Sequence, residues 1–268
     1  MNLELTNNRP IGVYDSGFGG LSVWRALYDA LGNESLIYLG DGKNCPYGDR
    51  SREEIAQFAD EAVQRLIAEG AKLIVIACNT ATAMAISELR ERYPDIPFVG
   101  LEPAVKPACL TTQTGKVGVL ATARSFEGDH FKRTAAKYAD RAEILTAVGE
   151  GFVEIVERSA EHEPSTREVV AKTVEPLIAQ GIDKLVLGCT HYPFLLSVIR
   201  EVVGDRDVEI IDSGEAVERR VEQLLDEFGL RAEAENKPYY RFLTFADEEY
   251  AERLERKAFG DENIDSKR

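Results

Sequence analysis

Two cysteines of this chain stand in matching surroundings, and a thiol, once ionised, can serve as nucleophile, proton acceptor or metal ligand. Leu66-Ile67-Ala68-Glu69-Gly70 leads through Ala71-Lys72-Leu73-Ile74-Val75-Ile76-Ala77 into Cys78-Asn79-Thr80. Leu177-Ile178-Ala179-Gln180-Gly181 leads through Ile182-Asp183-Lys184-Leu185-Val186-Leu187-Gly188 into Cys189-Thr190-His191. In both, the leucine lies twelve residues before the cysteine, and a glycine separates a helical pattern from an apolar run. Such a run predicts a strand buried on both faces of a parallel sheet. Each cysteine then falls just past the carboxyl end of its strand, where open α/β sheets bind ligands. A cysteine taken singly is by default a small buried apolar residue, and that reading suits Cys45 and Cys109, which have no twin. For Cys78 and Cys189 the duplication and the polar residues that follow point to chemistry. Zinc ligation by Cys189 and His191 is disfavoured because paired ligands are missing from the spacing, so no metal site is expected.

Further elements must position these thiols. Ile11-Gly12-Val13-Tyr14 reads as a strand that breaks into Asp15-Ser16-Gly17-Phe18-Gly19-Gly20, after which Leu21, Val23, Trp24, Leu27 and Leu31 recur at helical spacing. A glycine turn between strand and helix can cradle an anion, but the spacing is not GxGxxG and no P-loop lysine follows. Asp15 also has a purely local reading, as a cap of its own turn. Leu36 to Leu39 is the second strand, ending in a Gly-, Asn- and Pro-rich loop, Gly40 to Gly48. Ser51 with Glu54, and Ser165 with Glu168, have capping-box spacing. Pro176 is expected to kink or divide its helix. Phe98 to Leu101 is read as opening a second unit, in which Val117-Gly118-Val119-Leu120-Ala121-Thr122 echoes residues 11–16 with Ala121 in place of Asp15. One helix is expected from Ser125 to Tyr138 and a strand near Ile144-Leu145. Val208 to Ile211 is a strand leading to Asp212-Ser213-Gly214, the tripeptide of residues 15–17 again; Tyr239 to Phe245 suggests an edge strand before a charged helix. The expected fold class is α/β: two pseudo-symmetric doubly wound domains with mainly parallel sheets. The first domain comprises residues 1–98 plus 211–268, and the second 99–210.

Composition bounds the function. The 268 residues are 44% apolar and 29% charged, enough for two ordinary domains. A net charge of −15 argues against nucleic acid or an anionic membrane as the main partner. Four separated cysteines without a CxxC pair, and no leader-like or membrane-length apolar segment, suit reduced thiols and a cytoplasmic location.

Several long stretches together resemble the motifs of glutamate racemases, the cofactor-independent branch of the aspartate/glutamate racemase superfamily. They are Val13-Tyr14-Asp15-Ser16-Gly17-Phe18-Gly19-Gly20-Leu21, Gly40-Asp41 with Pro46-Tyr47-Gly48, Ala77-Cys78-Asn79-Thr80-Ala81, Gly188-Cys189-Thr190-His191-Tyr192-Pro193 and Ile211-Asp212-Ser213. The resemblance implies a two-base enzyme without cofactor, its active site in an interdomain cleft between the two α/β domains, in which Cys78 acts on D-glutamate and Cys189 on L-glutamate. It implies that Asp15 assists Cys78 and His191 assists Cys189, with Glu157 aligned to a glutamate near the family's site. Asp15, Ser16, Pro46, Tyr47, Gly48, Asn79, Thr80, Thr190 and His191 match substrate-binding positions. A homodimer that supplies D-glutamate for peptidoglycan is implied as well. The chain departs from the pattern at Gly149-Glu150, where the family often has Cys-Pro, at Glu154, which replaces a proline, and at Lys43-Asn44. These departures bear on substrate preference more than on reaction type.

Overall fold

A computed structural model describes residues 7–259. Residues 1–10, polar and read from the sequence as a loose arm, lie partly outside them; of the described part, Asn7 accepts a hydrogen bond from the buried Lys72 and Pro10 is buried. The first seven elements alternate strand and helix: β1 Ile11–Asp15, α1 Leu21–Ala30, β2 Leu36–Gly40, α2 Arg52–Ala68, β3 Leu73–Ile76, α3 Asn79–Arg92 and β4 Phe98–Gly100. The chain continues with α4 Val105–Thr111, β5 Lys116–Ala121, α5 Ala123–Glu127, α6 Asp129–Tyr138, β6 Glu143–Val148, α7 Phe152–Glu157, α8 Pro164–Ala179 and β7 Lys184–Leu187. A 3-10 turn, Tyr192–Leu195, precedes α9 Leu196–Val203 and β8 Glu209–Ile211, and the chain returns through α10 Gly214–Glu227, β9 Tyr240–Thr244 and α11 Glu248–Phe259.

Two sheets result, ordered β4-β3-β1-β2-β9 and β6-β5-β7-β8, and their described pairings are all parallel. The sequence repeat is thus a structural one, with β1, β2, β3 and β4 answered by β5, β6, β7 and β8. Residues 98–101 do not open the second unit: Ile74 stands opposite Phe98 in register, so β4 closes the first sheet, and β8 likewise closes the second. Sheet membership is a matter of pairing across the chain, which local apolar pattern does not encode.

Matched packing holds the two halves to one plan. A Cβ built on Gly12 of β1 would lie 3.0 Å from Leu66 Cδ1 and 3.3 Å from Ala71 Cβ; one on Gly118 of β5 would lie 2.8 Å from Ile182 Cδ1 and 3.4 Å from Leu177 Cδ1. Leu66 and Leu177 are the leucines that open the two stretches, so each presses on the bare glycine of its central strand. Gly70 and Gly181, both at positive φ, then stop the helices that carry them. Trp24 packs edge-on to Phe259 and tilted on Phe242, which binds the returning β9 and α11 to α1.

Four local expectations meet different outcomes. Ser51 and Glu54 form the predicted capping box. Ser165 does not cap: α8 begins at Pro164 after Glu163, because proline at the first helical position needs no donor there. Pro176 leaves α8 undivided; it is exposed, so the carbonyl it fails to bond faces water. Ser125 to Tyr138 is split at Gly128, where a Cβ would come within 2.8 Å of Ala83 Cβ on α3, into α5 and α6.

Because both strand glycines are overfilled by any side chain, Gly12→Val and Gly118→Val are each expected to lower unfolding free energy by about 1–3 kcal/mol in urea titrations, despite valine's preference for strands. Unchanged stability would show that the leucine contacts have slack.

Candidate active site

The cysteines arrive where the two sheets face each other. Cys78 is the N-cap of α3, with the Ala81 N–H directed at its sulfur at 3.5 Å and its thiol directed at Ser16 Oγ at 3.6 Å. Cys189 follows β7, and its sulfur lies 3.8 Å from His191 Nδ1. Both cysteines border one cavity of about 330 Å³. Ser16, Pro46, Tyr47 and Gly48 line it from the first half together with Asn79 and Thr80; Thr190 and His191 line it from the second.

Asp15 and Glu157 are placed differently from what the sequence leads one to expect. Neither borders the cavity; each stands one layer behind it. Asp15, fully buried at the end of β1, accepts the Gly17 N–H at 2.8 Å and the Thr190 hydroxyl at 3.0 Å. The local capping reading therefore accounts for one of its oxygens, and the other reaches across to the second half. Glu157 meets His191 Nε2 at 2.7 Å, accepts the Phe18 N–H at 2.7 Å and accepts the Tyr250 hydroxyl at 2.7 Å.

These contacts explain the glycine turn. A Cβ on Gly17 would fall 2.1 Å from Glu157 Oε1, and one on Gly19 would fall 2.3 Å from His191 Nδ1. The turn is bare because the second half sets its acid and its imidazole directly on the backbone. It does cradle an anion, as glycine turns do, but that anion is the protein's own carboxylate at the Phe18 N–H, which leaves little of the turn for a phosphate.

Charge follows from this geometry. Burial opposes protonation of His191, yet its hydrogen bonds to Cys189, Cys45 and Glu157 outweigh burial and hold its pKa well above the ordinary value. Burial would raise the Glu157 carboxyl, but the His191 contact and the Phe18 N–H bring it below the usual range. Burial, and then the Asp15 carboxylate, push the Cys78 thiol up to about 12. Asp15 is itself raised by burial, with His191 pulling the other way. One thiol is therefore held protonated while the other sits beside an imidazolium.

The cavity also offers groups that would hold carboxylates. The side-chain nitrogen of Asn79 is buried without a hydrogen-bond partner among the described residues, and the first N–H groups of α3 have no partner within the helix. Thr80 Oγ1 and Thr122 Oγ1 lie 2.9 Å apart. Thr122 borders the cavity and is a site residue that motif reading missed; the echo of residues 11–16 in 117–122 is the signal, since it sets Thr122 in the place of Ser16. Glu150, Gly151, Val153 and Glu154, part of the departing segment, border it too, as does Asp49. Tyr47 is fixed from behind: its hydroxyl donates to Asp41 at 2.6 Å, and the Tyr14 hydroxyl lies 2.5 Å from it.

Comparison with known proteins agrees with this architecture. Residues 19–221 match the sequence pattern of the Asp/Glu/hydantoin racemase family. The glutamate racemase of Ectopseudomonas mendocina is 48% identical over 223 residues, 83% of this chain and 84% of that protein. The crystal structure of glutamate racemase isoform RacE1 from Bacillus anthracis is similar with a TM-score of 0.85 at 33% identity, covering 95% of each chain. That of the Francisella tularensis glutamate racemase in complex with D-glutamate is similar with a TM-score of 0.81 at 31% identity, covering 94% of each.

The His191–Glu157 pair should be visible in stability. Glu157, lowered from 4.5, contributes above 4.5 and loses its contribution as pH falls through its lower folded value. His191, raised from 6.5, contributes fully below 6.5 and loses it as pH rises through its higher folded value. The melting-temperature gap between the native chain and Glu157→Gln should thus be widest between pH 4.5 and 6.5 and shrink on both sides. A gap flat from pH 3 to 9, on the order of those limits, would mean that the pair is not ionic.

Proposed function

Because the chain belongs to the Asp/Glu/hydantoin racemase family, we propose that it interconverts L- and D-glutamate by transferring protons between the substrate α-carbon and two thiols, Cys78 and Cys189. The observation that carries this reading is that both cysteines border one cavity, each brought there by the same strand position in two similar halves. Inversion by proton transfer needs a base on one face of the carbon and an acid on the other, and reversal exchanges their roles. A buried Cys78 thiol is suited to deliver a proton, and Cys189 beside protonated His191 is suited to accept one.

The remaining residues bind and orient. Substrate carboxylates are received by the Asn79 side-chain amide, the first N–H groups of α3 and the hydroxyls of Ser16, Thr80 and Thr122, so no lysine or arginine is required. Thr190, tied to Asp15, and His191, tied to Glu157, hold the second face in place. Glu157 and Asp15 act as positioning residues, through His191 and Thr190 and through the charge they set on the thiols. The chemistry proceeds with these groups alone, without a cofactor.

The wider reading follows the same family. D-glutamate made here would serve peptidoglycan synthesis in the cytoplasm, by a homodimer. Free thiols at all four cysteines are consistent with a reducing compartment, and among the described residues no helix is long and apolar enough to cross a membrane.

Each glutamate enantiomer incubated in D2O with the purified chain should racemise without added cofactor, the inverted product carrying one α-deuterium. Cys78→Ala and Cys189→Ala should each lose about 10²-fold or more in turnover. Wild-type turnover in both variants would refute the two-thiol mechanism.

A further inference from the structure

A third cysteine, Cys45, is left unused by this chemistry, although it sits beside its most charged pair. Cys45 comes from the loop after β2, Glu157 from the end of α7 and His191 from the segment after β7. One ligand atom from each, the Cys45 sulfur, a Glu157 oxygen and a His191 ring nitrogen, lies within 4.8 Å of the other two. Cys45 also stands 3.0 Å from where a Gly17 Cβ would lie, on the same side as Glu157 Oε1. Thiolate, imidazole and carboxylate are the ligand set of zinc, whose bonds of about 2.0–2.3 Å hold ligand atoms about 3.3–3.8 Å apart in a tetrahedron. Drawing the Cys45 sulfur in by about 1 Å and parting the His191–Glu157 pair, now 2.7 Å apart, by about 0.6 Å would therefore convert the cluster into three legs of a zinc site with one position left open.

We infer that Cys45, Glu157 and His191 form an inhibitory site for zinc or a similar thiophilic divalent cation, distinct from the two thiols of the cavity. Binding releases the Cys45 thiol proton and the proton shared by His191 and Glu157 to solvent, and forms metal bonds to sulfur, nitrogen and oxygen. The ring of His191, bound to the metal through the nitrogen that now meets Glu157, is fixed in place beside Cys189, whose sulfur lies 3.8 Å from its Nδ1. The ion also ties segments of both halves together, so the cavity loses freedom to open. Inhibition rests on the racemase reading above; metal binding does not.

Cobalt(II) provides the test, since a thiolate bound to it gives an intense near-ultraviolet band independent of turnover. The full chain, a Cys78→Ser/Cys189→Ser variant and a Cys45→Ser variant, each checked for native circular dichroism, are titrated with cobalt and then with zinc. One cobalt per chain with the sulfur band is expected in the first two, displaced by zinc, and the band is lost in Cys45→Ser. For glutamate racemisation, the zinc concentration giving half inhibition should rise at least about tenfold in Cys45→Ser and be reversed by chelator, as loss of a ligand predicts. A band that survives in Cys45→Ser, that vanishes in the double variant, or that never forms in the full chain overturns the inference. An inactive full chain that still shows the Cys45-dependent band would instead leave the site standing and remove the racemase reading.

Discussion

The backbone of residues 17–20 must be approached by two side chains from the other half, and much of the site follows from that closeness. Any Cβ at Gly17 or Gly19 would occupy the place of Glu157 or His191. Once seated, the Glu157 carboxylate takes a backbone N–H from Phe18 and an imidazole nitrogen, and Tyr250 satisfies its other oxygen. A buried charge is tolerable when its lone pairs are used in this way. The turn is therefore a socket for the partner half before it is a ligand loop, and the cavity is a consequence of how the two halves dock.

Near-symmetry supplies two thiols, and its breaches give them different characters. The packing of Leu66 on Gly12 is repeated by Leu177 and Leu185 around Gly118. Asp15 in β1, however, is answered by Ala121 in β5, and Thr80, two residues after the first cysteine, by His191 after the second. Cys78 thus faces a serine hydroxyl with a carboxylate behind it, whereas Cys189 faces an imidazole with a carboxylate behind that. Duplicated scaffolds with unequal neighbours thus place one pair of identical groups in different electrostatic surroundings.

What the sequence disclosed was mostly what strong periodicity and repetition encode. Strands buried on both faces, the glycine stops at 70 and 181, the box at Ser51 and the place of Cys78 and Cys189 at the ends of their strands all follow from residue types at short range. Membership of β4 in the first sheet was hidden because it depends on pairing with β3, and the break at Gly128 because it depends on Ala83 of a different helix. In the site, Ser16, Tyr47, Asn79, Thr80 and Thr190 were legible as motif residues. The depth of Asp15 and Glu157 was not, since the sequence names a residue near a site without saying in which layer it lies. Glu157 kept its alignment through a divergent segment, whereas the departing residues Gly149, Glu150 and Glu154 are found at the cavity.

The last helix has a consequence for synthesis. Tyr250 hydrogen bonds to the acid that holds the imidazole, and Arg253 donates to the Glu157 carbonyl. A nascent chain emerging in order would already contain both thiols, both sheets' central strands and the glycine socket, yet Glu157 would still lack these two partners. The imidazole's acid therefore lacks two of its partners until α11 docks, so the second half's site is finished by the element that completes the first.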